Sequence, residues 1–393
     1  MNRLARHLPD MIMLIPMGLA QLGIGLVVLR EGRKRGSKKL LSALFLAVLL
    51  FWFIMFTGVL CGIRYFAFKM PWLPWHQMGI VHLVTFSWGV CSTAAFAIYL
   101  AYALIAPRLQ PRFQPERRRW LHAAGAAAVV SPFVAMAYGT FVQRLNFQVQ
   151  EVDIPLKDLP KDLQGLRILQ LSDIHLSSFL SEKDLARVVG MSNELKAHIA
   201  VMTGDLITDP SDPVDVCIAQ LARVKCDAPM LGCLGNHETY AGILEYTKAR
   251  AARYGITFLR SENRVLRFGD ASLNFAGVDY EPFFDKPRYL TGAENLMVPG
   301  STNILLSHNP DVFPVAARKG YDLTLAGHTH GGQVTIEILS QTANLARVFT
   351  RYVSGYYQIG QKTCYVTRGI GTIGLPTRLG APPEITLLRL RKA

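Results

Sequence analysis

Acidic residues are scarce in the first third of this chain. Between Met1 and Arg144 there are three Asp or Glu against sixteen Lys or Arg, whereas the remainder is nearly balanced, with 25 acids and 26 bases. The formal charge of +14 therefore belongs to one apolar region in which bases flank hydrophobic runs, and no nucleic-acid footprint is expected. Ionised residues are also missing from the centres of those runs, which argues against a transporter built on them. The six cysteines show no CxxC or zinc-finger spacing, so neither a disulfide framework nor a zinc finger is expected. Cys61 and Cys91 lie inside apolar runs, and Cys217, Cys226, Cys233 and Cys364 are expected as free buried thiols, although the sequence leaves room for one disulfide among them.

Long apolar runs, by contrast, are plentiful before residue 142. They are Met11–Leu29, Leu40–Gly62, Met78–Ala106 and Leu121–Phe141, each long enough to cross a hydrocarbon core of about 30 Å as a helix. The expectation is an all-α region of four transmembrane helices within residues 1–144. Arg30–Lys39 carries six Lys or Arg and Pro107–Arg119 five, against two each in the N-terminal tail and in Arg64–Gln77. Placing the two basic loops in the cytoplasm puts everything after Phe141 on the outer face. Trp72 and Trp75 fit an outer interfacial belt, and His76, His82 and His122 read as polar groups near span ends. Arg117-Arg118-Arg119 before an Ala-rich run resembles an export signal moved inside the chain, but an uncleaved span is expected, because three precede it.

Residues 145–165 read as a linker followed by a strand leading into a second domain, 166–393. There, short apolar runs alternate with helical stretches: Arg167–Leu171 is expected as a strand, Ser181–Lys196 as an amphipathic helix opened by a Ser-x-x-Asp box, and His198–Met202 as the next strand. Early βα units followed by hairpin-like strands suggest two sheets face to face with helices outside, a four-layer α/β/β/α sandwich. Ligand-type residues cluster just past the strand ends: Asp173-Ile-His175, Gly204-Asp205, Gly235-Asn236-His237-Glu238, His308 and Gly327-His328-Thr-His330. Carboxylate, imidazole and amide oxygen form a mixed set suited to Mn, Fe or Zn rather than Ca or Mg alone. Glycine before Asp205, Asn236 and His328 is expected to let the backbone turn tightly there. A lone His-x-His is usually an ordinary loop; five motifs in this order, each at a strand end, are specific.

The series DxH, GD, GNHE, H and GHTH resembles the calcineurin-like metallophosphoesterase superfamily. SDIHL, LLSHNPD, LAGHTHGGQ and RGIGTIGLPTRLGAPPEITLLRL are similar to its membrane-anchored or exported bacterial branch. The resemblance covers about Leu166–Ala393 and does not reach the first three apolar runs. It implies a dinuclear centre of two divalent metal ions (Mn, Fe or Zn). Asp173, His175 and His330 would hold one ion, Asp205 would bridge, and Asn236, His308 and His328 would complete the other. Such a pair clamps a phosphoryl group and activates hydroxide. His237 would face the leaving-group oxygen as the catalytic acid, or stand as a positive charge at the phosphate, oriented by Asp205 or Asp209, while Glu238 would be a helix-start residue and not a ligand. GDLITD departs from the Ser/Thr phosphatase pattern, and Thr208 stands where a purple acid phosphatase has Tyr, so no Fe–tyrosinate centre is expected. Gly369–Gly374 matches GxGxxG, but Pro376, Pro382 and Pro383 leave no room for a βαβ unit, so a loop is expected there and not a dinucleotide site. Arg368 and Arg378 on either side are candidate substrate-phosphate ligands. The aromatic-rich stretches Tyr280–Pro299 and Leu339–Tyr357 are expected to pack locally, the alternative being a mouth resting on a bilayer.

These readings lead to a phosphoester hydrolase, by expectation a phosphodiesterase, in the inner membrane of a bacterium with its catalytic domain extracytoplasmic. Its partners would be the lipid bilayer and a phosphorylated small-molecule or lipid-linked substrate from the envelope. Two alternatives stay open: a UDP-sugar lipid pyrophosphatase with a cytoplasmic site, and a metal-stabilised membrane scaffold or sensor without turnover.

Overall fold

A computed structural model describes residues 3–34, 75–109, 115–338 and 341–393, which fall into two compact units, Met1–Tyr138 and Gly139–Ala393. The first unit is helical, with α1 (Arg3–Lys34), α2 (Trp75–Leu109) and α3 (Pro115–Phe141). Gln21 Nε2 of α1 donates to Ser92 Oγ of α2 at 2.5 Å. Between α2 and α3 the Tyr102 hydroxyl meets His122 Nδ1 at 2.8 Å, and Cys91 Sγ donates to the Pro132 carbonyl at 3.4 Å.

The described residues contain two helical stretches long and apolar enough to cross a membrane, Phe86–Arg108 and Pro115–Leu145, and not four. The expected run 11–29 is helical, lying within Arg3–Lys34, and the apolar part found among the described residues is Ile15–Arg30. The expected run 40–62 lies outside the described residues.

Among its described residues the second unit has fourteen strands in three groups. In chain order they are β1 (Gln148–Leu156), β2 (Arg167–Leu171), β3 (Ile199–Thr203), β4 (Leu231–Cys233), β5 (Thr257–Phe258), β6 (Glu262–Phe268) and β7 (Ala271–Gly277). There follow β8 (Thr302–Leu306), β9 (Leu323–Ala326), β10 (Thr335–Ile338), β11 (Gln341–Asn344), β12 (Gly355–Ile359), β13 (Lys362–Val366) and β14 (Glu384–Lys392). One six-stranded sheet runs β1-β14-β2-β3-β4-β5, the other β12-β13-β9-β8-β7-β6, and β10 and β11 form a separate hairpin. The strand β14 pairs antiparallel with β2 and parallel with β1, so it lies inside the first sheet between them.

Both faces of these sheets are covered, which is why RILQL, IAVMT, TNILL and LTLA read as nearly unbroken apolar runs. Ile168, Val201 and Leu231 of the first sheet meet Phe275, Ile304 and Leu323 of the second in one core. Successive strand residues point to opposite faces, so Leu169 and Leu171 turn outward into a second core with Leu185, Val188 and Val189. Those three belong to α4 (Glu182–Glu194), which the Ser181–Asp184 capping box opens where the sequence placed it. On the outer face of the second sheet, Leu305 packs with Val312 and Ala316. The cysteines of this unit are free.

In the aromatic-rich stretches, Tyr352 packs edge-on to Phe313 and Tyr357 at 5.7 and 5.1 Å between centroids, while Phe349 stays 67% exposed. Local packing and an exposed tip thus coexist in one segment.

Candidate metal centre

At the C-terminal ends of β2, β3, β4, β8 and β9 the chain leaves each strand and sends polar side chains into one buried space. Strand ends in neighbouring register deliver such groups to a common point. After β2, the Asp173 N–H donates to the Gly204 carbonyl at 2.9 Å and the His175 N–H to the Asp205 carbonyl at 3.1 Å, so the first two loops are laced together. The Asp173 carboxylate accepts the His328 N–H at 3.0 and 3.1 Å, tying in the loop after β9. Glu238 knots the third loop to the second: its buried carboxylate accepts N–H groups from Gly235 at 2.8 Å, Asp205 at 3.1 Å and Leu206 at 2.7 Å. It stands in the first turn of α6 (Asn236–Ala241), where its carboxylate reaches back to the N–H of Gly235, the residue before the helix; α5 (Val214–Leu221) precedes it.

The donors converge as two groups sharing one carboxylate. His175 Nε2 and His330 Nε2 are 3.1 Å apart, and His330 Nε2 is 3.4 Å from Asp173 Oδ1. His308 Nε2 lies 3.0 Å from Asp205 Oδ2, 3.1 Å from Asn236 Oδ1 and 3.2 Å from His328 Nδ1. Asp205 Oδ2 is also 3.5 Å from His175 Nε2, which puts this carboxylate between the two groups. His308 Nδ1–H is committed to the Thr203 carbonyl at 2.6 Å, so its Nε2 is the atom that points at the three other acceptors. Acceptors crowded together at such distances repel unless a positive charge sits among them, either a proton on His308 Nε2 or a metal ion that replaces it. Metal–ligand bonds of about 2.1 Å give coordination polyhedra with edges of about 3.0–3.4 Å, close to the spacings here. The residues fit divalent metal.

Burial supplies the electrostatics. It pushes His175 and His328 down to about 3 and His330 well down, so all three imidazoles are neutral and their lone pairs available. Burial also lifts Asp173, to about 6. It would lift Asp205 too, but the imidazoles of His308 and His237 hold that carboxylate well below its usual range. Burial would lower His308, yet the Asp205 carboxylate beside it raises the imidazole to about 9.

All seven expected ligands, Asp173, His175, Asp205, Asn236, His308, His328 and His330, face this space, and His237 joins it. The rings of His237 and His175 meet edge to face at 4.8 Å. His237 Nδ1 bonds the Thr208 carbonyl at 2.6 Å, and Asp205 Oδ1 accepts the His237 backbone N–H at 2.9 Å. The ring nitrogen Nδ1 therefore bonds a main-chain oxygen, where an orienting carboxylate from Asp205 or Asp209 was expected.

The two arginines depart from expectation. Arg378 is fully buried, and its guanidinium donates to the carbonyls of Gly371 at 2.6 Å, Arg368 at 2.8 Å, Gly369 at 3.1 Å and Ala381 at 3.1 Å. It organises the GxGxxG loop from within and has no donor left for a substrate. Arg368 pairs with buried Glu384 at 2.7 Å. Residues the motifs did not flag also matter. Thr208 Oγ1 holds His175 Nδ1 at 3.1 Å, fixing Nε2 toward the donors. The Tyr280 ring stands 5.4 Å from His328 and 6.0 Å from His308, with Tyr240 6.4 Å beyond it. A Tyr three residues past a strand has no sequence signal distinguishing it from core packing.

The calcineurin-like phosphoesterase family profile matches residues 166–332. The uncharacterized metallophosphoesterase YkuE of Bacillus subtilis is 30% identical over 284 residues, which are 70% of this chain and 98% of that one. The phosphodiesterase YaeI of Escherichia coli is 29% identical, with coverages of 70% and 99%. A transmembrane protein with metallophosphoesterase domain from Danio rerio is 30% identical over 68% of this chain, which spans only 62% of that longer relative.

Proposed function

The chain belongs to the calcineurin-like phosphoesterase family and is a phosphoester hydrolase, and from that premise we propose a membrane-anchored phosphodiesterase acting on a lipid-linked or cell-envelope phosphate. The observation carrying the reading is the pair of donor groups joined through Asp205. Asp173, His175, Asp205 and His330 would hold one divalent ion and Asp205, Asn236, His308 and His328 a second, of the Mn, Fe or Zn type. Such ions supply Lewis acidity to a phosphoryl oxygen and lower the pKa of water.

The chain's own part is to position and to move a proton. Thr208 and Thr203 fix His175 and His308 through their far ring nitrogens, so the substrate meets donors already set. His237, with Nδ1 occupied by the Thr208 carbonyl, has Nε2 available to protonate the leaving oxygen. Tyr280 and Tyr240 wall one side of the space and would exclude water from the departing group. Support for a diester comes from the name of the Escherichia coli relative, and support for anchoring from the two apolar helices and the name of the Danio rerio relative. The basic loops favour an extracytoplasmic active site.

The test is hydrolysis of bis-p-nitrophenyl phosphate and p-nitrophenyl phosphate by the purified full chain with Mn, Fe, Zn or chelator, beside Asp205→Asn and His237→Ala. The expected result is metal-dependent turnover favouring the diester and lost in both variants, with metal content retained in His237→Ala. A folded, metal-loaded chain without turnover would overturn the reading in favour of a scaffold.

A further inference from the structure

A groove of about 630 Å³ lies apart from the donor cluster, and Lys286, Arg318, Arg347 and Arg351 stand along it. All four are exposed, and no ion-pair partner for any of them occurs among the described residues. The nearby acids are engaged elsewhere: Asp285 faces Arg288 at 3.9 Å, Glu294 pairs with Lys319, and Asp311 accepts the Thr350 hydroxyl. Between the cations, Val348 and Phe349 project at 75% and 67% exposure. Val348 ends, and Phe349 follows, a turn, Leu345–Val348, that Asn344 caps by accepting the Ala346 N–H at 2.9 Å, so their exposure belongs to a formed element.

We propose that this groove and its Val348–Phe349 tip dock on an anionic bilayer surface. Two features favour a bilayer over a soluble anion. A site for a small anion gathers buried donors on one point, whereas these four long side chains line a rim and end in solvent. An adjacent exposed aliphatic and aromatic pair gains nothing from a soluble phosphate, but partitions into the headgroup–acyl boundary while the cations meet lipid phosphates. The groove also shares loops with the donor cluster. The Tyr289 hydroxyl at its wall accepts from Asn309 Nδ2 at 3.1 Å, next to His308. Thr329, between His328 and His330, donates its hydroxyl to the Val353 carbonyl beside Tyr352. A bilayer seated in the groove would present a lipid-linked phosphate close to the catalytic space. The proposal deepens the reading of a membrane-anchored hydrolase and rests on it for the bilayer.

Amide exchange of residues 345–352, measured on the full chain in nanodiscs, tests it without requiring turnover. Discs of phosphatidylcholine alone are compared with discs containing phosphatidylglycerol, and with neutral discs plus soluble glycerol phosphate. Exchange should slow about tenfold in anionic discs only, consistent with a lipid attraction that grows with each nearby cation. The Arg347→Glu/Arg351→Glu variant should lose this slowing while hydrolysing soluble diester at the parental rate. Equal exchange in all discs would overturn the proposal, and so would equal slowing by glycerol phosphate. Absence of hydrolysis with lipid-dependent slowing intact would count against the proposed reaction and uphold the docking.

Discussion

Glu238 offers the sharpest test of how the site is held. Its carboxylate is fully buried and accepts four N–H groups: Gly235 and Asp205 on Oε2, Leu206 and Ile207 on Oε1. Burial, then the nearby Asp205 carboxylate, raises its pKa, so the charged form is held at a cost that these donors offset. Glu238→Gln keeps the shape but makes one terminus an NH₂ group, which then faces two backbone donors instead of accepting from them. Two buried N–H groups lose their partner at about 1–3 kcal/mol each, against a smaller gain from removing a buried charge beside Asp205. The net expectation is a loss of about 2–4 kcal/mol, or roughly 5–15 °C in Tm for a unit of this size. Asp205 and Asn236 sit on the two loops that Glu238 joins, so metal content should fall with stability. Thermal unfolding and metal analysis of the purified variant would check both. A Tm within about 2 °C of the parent, with full metal content, would refute the claim that this carboxylate holds the loops together.

Further outcomes follow from the same geometry. Chelation should lower Tm by roughly 5–10 °C, because an ion at about one hundred times its Kd contributes about 2.7 kcal/mol; an unchanged Tm after verified metal removal would contradict the donor assignment. His308, raised to about 9 beside Asp205, carries a proton in the metal-free chain at pH 7–8 that metal must expel, so affinity should rise about tenfold per pH unit up to about pH 9. Calorimetric titration with metal in buffers of different ionisation enthalpy would show that proton, and buffer-independent heats would exclude it. Arg378→Met should cost about 3 kcal/mol, since several buried carbonyls lose their donors, and should loosen His330; thermal unfolding at neutral pH reads the cost. In the metal-free chain Asp173 is raised to about 6 from an ordinary 3.8, so folded protein binds the proton more tightly than unfolded. The resulting penalty is absent below about pH 4, grows as pH rises, and is complete above about pH 6. Asp173→Asn should therefore stabilise metal-free protein by about 2–3 kcal/mol at pH 7 while weakening metal binding, as Tm with and without metal would show.

Much of this was legible because strand ends carry their own punctuation. The strands β2, β3, β8 and β9 are buried on both faces, so their apolar runs stop where the ligand residues begin. The roles of Glu238 and Arg378 were less legible for one shared reason: both act on backbone groups. An N–H from Leu206 or a carbonyl from Gly371 has no signature in the side-chain sequence, so Arg378 read as a candidate phosphate ligand when it is the centre of a loop. The strand β12 was hidden inside an aromatic-rich stretch whose residues divide between a core around Tyr352 and an exposed Phe349. The apolar N-terminal runs showed composition but not helix ends, and α1 begins in charged sequence that the run 11–29 did not include.

The glycines of the motifs show how the site's geometry and its cost are divided. The sequence suggested that they permit tight turns, and Gly204, at φ +95°, does so. Gly235 and Gly327 instead permit close approach: a Cβ on Gly235 would stand 2.1 Å from Asp205 Oδ1, and one on Gly327 2.3 Å from Asp173 Oδ2. The left-handed turns are made by ligands themselves, with Asp173 at φ 51°, His175 at 48°, Asp205 at 58°, His328 at 74° and His330 at 52°. Each such residue costs about 1–2 kcal/mol, in addition to the burial that opposes the charge on Asp173. A chain that selection shaped for stability alone would put Gly or Asn at these positions. It keeps side chains whose crowding a bound cation would relieve and whose backbone strain its binding would offset, as expected of a site organised for metal.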